Sequence, residues 1–231
     1  NFEDIIAAIS LYRPGPMESI PRYIRGKRNP ASVKYLDEKL RPILSVTYGC
    51  MVYQEQVMQI VRDLAGYSLG RSDLVRRAMA KKKHEVMERE RQYFVHGKRD
   101  EAGNVEVPGA VAMGVKEETA EKLFEEMSAF ASYAFNKSHA AAYALVAVQT
   151  AWLKVHYPAQ FMAALMNSVA GNTDKVAYYI QYCRKRGLKV LPPDVNLSRE
   201  KFSVDREQKA IRFGLNAVKN VGWGAIRAIK E

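Results

Sequence analysis

The densest group of side chains able to do chemistry lies in residues 71–83, RSDLVRRAMAKKK, where six cations stand against one acid, Asp73. Guanidinium groups carry forked donors that match phosphate oxygens, and several held together neutralise a triphosphate of charge about −4. At 100° per residue, Leu74, Val75, Ala78 and Met79 share one arc of a helix, while Arg76 and Arg77 face the opposite side. The spacing predicts a short helix opened by Ser72 or Asp73 and ended before Lys82, releasing Lys81, Lys82 and Lys83 as a cluster. The helix dipole favours lysines at a C-terminus in any case, but it does not explain paired arginines. The pattern points to phosphate without separating a nucleotide from a DNA backbone, and a solvated basic face is the plain alternative.

Three further groups stand out. In YAFNKSHAAAYALVAVQTAWLK, the side chains of His139, Tyr143, Thr150 and Lys154 share one helical stripe, with the small Ala147 between them. Such a stripe is either the water side of a packed helix or a surface open to a flat ligand such as a base pair. The helix start offers Asn136, Lys137, Ser138 and free backbone amides to an anion. In YGCMVYQEQV, Glu55 stands between two glutamines at an expected helix start, where it contacts backbone amides; as a general base it lacks a partner in the sequence. In VKNVGWGA, a hydrophobic-Gly-hydrophobic-Gly turn fits a helix-hairpin-helix, whose amides hold a DNA phosphate without reading bases. An ordinary corner between helices is the alternative there.

The chain has 231 residues, with 36 lysines and arginines against 25 acids and a formal charge of +11, which suits a polyanionic partner. Its longest apolar run, Ala140 to Val148, is far too short to span a bilayer, so no membrane role is expected. The start resembles no secretory signal and lacks Met, as a piece of a longer chain would. Cys50 and Cys183 form no paired motif, and a reducing, cytoplasmic setting fits. The four histidines have no ligand spacing, no P-loop is present, and no spaced acid pair suits two magnesium ions, so no metal site is expected in this chain.

These groups need a scaffold, and the sequence reads as mainly helical. FEDIIAAISLY predicts a helix stopped by RPGP, followed by an irregular, proline-punctuated stretch to about Ser45. YQEQVMQIVRDLAGYS predicts a helix with Val57, Ile60, Val61 and Leu64 on one stripe, ended by Gly66. HEVMERERQYFVHG and residues 117–133 predict two more, with a loop or small excursion at 98–115. SHAAAYALVAVQTAWLKVHYP is apolar over most of its circumference and predicts a central buried helix closed by Pro158. AQFMAALMNSV and TDKVAYYIQYCRKRG follow, the second capped by Asn172 or Thr173 and ended by Gly187. Beyond Gly187, LKVLPPDVN, KFSVD and AIRFGL predict short strands, and AVKNVGWGAIRAIKE a helix, a glycine turn and a helix. Two domains are therefore expected: a helical core over 1–187, and short strands with a partial helix-hairpin-helix over 188–231.

Taken in order, LYRPGPM, YGCMVYQEQVMQI, DLVRRAMAKKK, FNKSHAAAYALVAVQTAWLKVHYPAQFMAAL and LPPDVN resemble the fingers region of the alpha subunit of bacterial DNA polymerase III, of the DnaE type, a C-family replicative polymerase. The related Gram-positive form reads closer to Phe-Pro-Lys-Ala-His where this chain has FNKSH. Two departures are small: Cys50 stands where a branched aliphatic is usual, and Ala80 where glycine or serine is common. The resemblance implies a mainly α, multi-helix fingers domain, with a small β or irregular section and a helix-turn-helix-like element near the C-terminus, that closes over the nascent base pair. It implies that Arg76 and Arg77, supported by Lys81 and Lys82, bind the triphosphate of a deoxynucleoside triphosphate (dNTP), with Asn136, Lys137, Ser138, His139 and Tyr143 beside the base pair. DNA contacts are expected at Lys83, Arg13, Lys154, Lys219, Gly222 and Gly224. Primer-template DNA, dNTP, the palm and thumb of the same polypeptide and a sliding clamp are the implied partners, with Mg2+ held by palm carboxylates outside this segment. The segment alone is expected to be inactive. The alternative is a stand-alone helical DNA-binding module; a scaffold using its acidic helix 117–133 is a third reading.

Overall fold

Val57, Ile60, Val61 and Leu64 recur at helical spacing, and in the computed structural model, which describes residues 1–81, 84–131 and 133–230, they form one buried stripe. That helix runs over Gln54–Ala65, and Gly66 ends it in the left-handed conformation (φ 75°), its N–H reaching back to the carbonyls of Val61 and Arg62. Among the described residues the helices are α1 (Phe2–Leu11), α2 (Ile20–Arg28), α3 (Arg41–Leu44), α4 (Gln54–Ala65), α5 (Leu69–Lys81), α6 (His84–His96), α7 (Glu117–Ala131), α8 (Lys137–His156), α9 (Pro158–Ser168), α10 (Thr173–Lys185) and α11 (Trp223–Lys230). A pair of strands, β1 (Lys98–Arg99) and β2 (Val105–Val107), forms the excursion at 98–115. Strands β3 (Val190–Leu191), β4 (Ser203–Asp205) and β5 (Ala210–Arg212) form a sheet in the order β3-β5-β4, with β3 parallel and β4 antiparallel to the central β5. The fold is mainly α with small sheets, as expected.

The chain divides into two compact units, Asn1–Leu145 and Val146–Glu231. The change of texture predicts a boundary at Gly187, yet the division falls inside α8. The reason is packing: Met162, Met166, Val176 and Cys183 of α9 and α10 share one core with Phe202 and Ile211 around the small sheet. Asn167 fixes that arrangement, giving a hydrogen bond to the carbonyl of Phe202 and taking one from its N–H at 2.9 and 2.7 Å.

The first unit holds two cores. Ile60 and Leu64 of α4 pack with Met79 of α5, Phe94 of α6 and Leu123 and Met127 of α7. Ile6 and Leu11 of α1 pack with Val52, Tyr53 and two of the alanines of α8, Ala140 and Ala144.

Three local expectations are corrected. Residues 20–28 form a helix, because Pro21 stands in its first turn, where a missing N–H costs nothing. Helix α5 starts at Leu69, not at Ser72 or Asp73. Ser68 Oγ accepts from Arg71 N at 3.3 Å, while the buried Ser72 turns its hydroxyl back to the Ser68 carbonyl at 2.9 Å. Leu74 also leaves the apolar arc and is 63% exposed, so Val75 and Met79 anchor the helix with Ser72. Helix α8 is not a buried central helix: Ala140 and Ala144 are its buried residues, and Leu145, Val146, Trp152 and Val155 are exposed. Apolar residues cover most of its circumference outside the His139–Lys154 stripe, so hydrophobicity does not single out the packing side, which is the small-residue edge of Ala140 and Ala144.

The loop leading into α4 is held by one buried side chain. Gln56 Oε1 accepts from Val52 N (2.8 Å) and Tyr53 N (3.0 Å), and its Nε2 donates to Thr47 Oγ1 (2.8 Å) and the Ile43 carbonyl (3.3 Å). Gln56→Leu keeps the volume but strands two buried N–H groups, and chemical denaturation is expected to register a loss of about 3 kcal/mol. A loss under about 1 kcal/mol would contradict this role.

Candidate nucleic-acid interface

The start of α4 joins three segments that lie far apart in sequence. Tyr53 is extended, and its neighbour Gln54 donates its N–H to the Phe135 carbonyl at 2.9 Å, while Phe135 N reaches the Val52 carbonyl at 3.3 Å. This makes a single parallel bridge between Tyr53 and Phe135. Gln54 Nε2 adds a bond to the Ala134 carbonyl at 3.2 Å. From the other side, Arg76 Nη1 donates to Gln54 Oε1 at 3.4 Å. One glutamine thus touches both the arginine helix and the strand-like entry to α8.

Glu55 completes the junction. Its carboxylate accepts from Lys137 N at 3.0 and 3.1 Å and from Asn136 Nδ2 at 2.9 Å. Asn136 Oδ1 in turn caps α8 by accepting from His139 N at 2.8 Å. The amide contact expected of Glu55 exists, but to another helix, not its own. The amides expected to be free for an anion at FNKSH are therefore partly filled: a carboxylate of the chain itself sits where the helix dipole favours negative charge. Lys137 points elsewhere, pairing with Glu3 at 3.1 Å and lying over the Tyr53 ring.

The two arginines share a single acid. Arg76 places Nε and Nη2 at 3.0 and 2.7 Å from Asp73 Oδ1, and Arg77 Nη2 lies 2.7 Å from Oδ2. The Arg76 guanidinium, with Arg77 beside it, holds the Asp73 carboxyl below its ordinary range. The side chain of Arg76 is 18% exposed and that of Arg77 63%, so the pair does not simply face outward as the wheel implies. Asp73 holds Arg76 against Gln54 and leaves Arg77 open. Arg71, one of the six cations, is committed to structure through Glu90 and Glu106.

Along α8, His139 and Tyr143 are exposed and their rings lie 4.8 Å apart, with Phe135 5.5 Å from His139. Ser138 is exposed beside them. Arg13 lies 4.5 Å over Phe135 and donates to the carbonyls of Ser10 (2.9 Å) and Tyr133 (2.6 Å), bracing the loop that carries the ring. Lys154, in the second unit, lies over Tyr182 of α10 and with Arg186 lowers the pKa of that phenol. Lys219 is exposed; Gly222 and Gly224 are exposed, and nothing lies within 4 Å of where a Cβ would stand. Packing does not demand either glycine. A 3-10 turn at Leu215–Ala217 precedes that corner, Asn220 takes the left-handed conformation (φ 66°), and α11 follows. Lys82 and Lys83 lie outside the described residues, as does the side chain of Lys81. Among the described residues, no group of three or more His, Cys, Asp or Glu side chains converges as metal ligands would, and no helix is long and apolar enough to cross a membrane.

Residues 1–102 match the finger domain of the bacterial DNA polymerase III alpha subunit, and residues 187–231 match a helix-hairpin-helix motif. The whole chain is 54% identical to a DNA polymerase III subunit alpha of Thermus aquaticus, over 100% of this chain and 18% of that protein. Over its whole length the chain matches the DNA polymerase III alpha subunit. The corresponding subunits of Pasteurella multocida and Escherichia coli are 49% and 45% identical, over 99% and 100% of this chain, and it spans 19% of each. As a finger-region segment it covers less than a fifth of these relatives, and its motifs, read together, were specific enough to mark the family.

Residue type marks the arginines and the FNKSH helix start in the sequence, but not Gln54, Phe135 and Glu3 as their connectors. The polar run Gln54-Glu55-Gln56 at the head of an apolar helix was the available signal. If Glu55 fastens α8, Glu55→Ala should raise hydrogen exchange at the Lys137 amide by about tenfold or more, the equivalent of one charge-assisted bond. Unchanged exchange would show that the contact holds nothing.

Proposed function

We propose that this finger segment binds the triphosphate of an incoming dNTP and the nascent base pair within a replicative DNA-directed DNA polymerase, in the bacterial cytoplasm. The observation that carries the reading is the Gln54–Glu55 junction, which couples the arginine helix to the His139–Tyr143 stripe. Arg77, open to solvent, captures a phosphate, and Arg76, already oriented by Asp73 and Gln54, fixes its position. A triphosphate of charge about −4 outcompetes the single carboxylate of Asp73 for two guanidinium groups, and forked donors then meet two phosphate oxygens. The lysines from 81 to 83 add charge to the triphosphate or the DNA.

The exposed rings of His139 and Tyr143 offer a stacking surface to the base pair, with Asn136, Lys137 and Ser138 at its edge. Lys154, Lys219 and the bare backbone at Gly222 and Gly224 are suited to DNA phosphates, as a helix-hairpin-helix would use them. Arg13 supports the DNA side by bracing Phe135. The polymerase reaction needs in-line alignment and charge neutralisation, and the chemistry attributed to this chain is binding and positioning. Mg2+, which the polymerase reaction would use, would be held by palm carboxylates outside the chain, as the family resemblance implies. The palm and thumb of the same polypeptide, primer-template DNA and a sliding clamp complete the assembly.

The exposed turn at Gly222 and the charge of +11 favour a second reading, a helical module that grips DNA backbone alone. The two diverge on one experiment. In the polymerase that contains this chain, Arg76→Ala and Arg77→Ala are expected to lower kcat/KM for dNTP by about tenfold or more each, in proportion to lost charge-assisted bonds. Unchanged nucleotide kinetics with weakened, salt-dependent DNA binding would favour the second reading.

A further inference from the structure

Helix α2 and the turn after it carry Arg22, Arg25, Lys27, Arg28 and Lys34 with no acid between Glu18 and Asp37. Asp4 takes Lys27 at 2.6 Å, leaving the others without a carboxylate among the described residues. Arg22, Arg25 and Lys34 line one hollow of about 200 Å³, together with Ser32, and no acid lines it. Its floor is built to close tolerance. A Cβ on Gly26 would stand 2.7 Å from Tyr48 Cβ, so α2 lies directly on Tyr48, and the Tyr48 ring packs edge-on against Tyr23 at 5.0 Å. Arg22 is held in place by donating to the Gly49 carbonyl at 3.0 Å. The side chains of Arg25 and Lys34 are exposed and have no ion-pair or hydrogen-bond partner among the described residues.

From this geometry we infer that the hollow between α2 and Tyr48 is a second phosphate site, which takes a backbone phosphate of DNA. A water molecule occupies about 30 Å³ in the liquid, so the hollow has room for a phosphate group with some of its hydration. Two guanidinium groups and an ammonium around one space provide charge-assisted donors from three directions, and nothing in the lining repels an anion. The site shares no lining residue with α4, α5 or α8, so it is separate from the arginine pair. Its assignment to DNA rests on the reading that this chain works on DNA.

The test uses the whole polypeptide that contains the chain, a primer-template duplex, and inorganic phosphate as the free-anion probe. Arg25→Ala combined with Lys34→Ala changes two exposed side chains, and circular dichroism should report an unaltered fold. The slope of log affinity for duplex against log salt is expected to fall in magnitude by about one to two, as for one or two lost phosphate neutralisations. Arg28→Ala, on the same helix but outside the hollow, should leave that slope unchanged. An unaltered slope in the double variant, with inorganic phosphate binding unchanged as well, overturns the site, and an equal fall with Arg28→Ala overturns it in favour of diffuse charge. Saturable binding of inorganic phosphate lost in the double variant, with the duplex slope intact, overturns the assignment to DNA. Failure of the wild-type polypeptide to bind duplex would bring down the DNA reading itself, a result distinct from the others.

Discussion

The arrangement depends on one constraint: the first two residues of α4 must satisfy the backbone of a segment about eighty positions away. Glu55 accepts the first amide of α8, and Gln54 pairs with Phe135 and Ala134 while receiving Arg76. Because α4 is rigid and its apolar stripe is fully buried, it fixes both the arginine helix packed along it and the loop bonded to its head. Without that junction, the Lys137 amide at the start of α8 would lose its carboxylate partner, and the rings of His139 and Tyr143 would have no defined relation to Arg76.

Charge is distributed with the same economy. Most of the excess cations are on the surface, but acids are placed where geometry matters. Asp73 spans both arginines, Glu55 occupies the positive end of α8, and Asp4 pairs with Lys27. Each of these carboxylates keeps a cationic region ordered in the absence of a ligand. Asp73 also stands where the proposed site would take a phosphate, so binding there would exchange one anion for another.

Much of this was legible in the chain. The stripe of α4, the glycine stop at Gly66, the Asn172 cap and the short strands followed from periodicity and turn chemistry, which act locally. What escaped was decided by tertiary neighbours. Leu74 has the right phase to be buried but stays exposed, α8 is apolar over most of its circumference and so gives little phase, and α2 hides behind a proline that its first turn tolerates. In the site, residue type marked Arg76, Arg77 and His139 as capable of chemistry. Spacing along one helix could not reveal that Asp73 and Gln54 divide the arginines into a fixed and an open member, since Gln54 belongs to another helix.

The most direct test is a crystal structure of the polymerase containing this chain, with primer-template and a non-reactive dNTP bound. The expected result is a phosphate oxygen within hydrogen-bond distance, about 3 Å, of the Arg76 or Arg77 guanidinium, with the Asp73 pairing broken and the base against His139 or Tyr143. A triphosphate held elsewhere, with both arginines still on Asp73, would contradict the account.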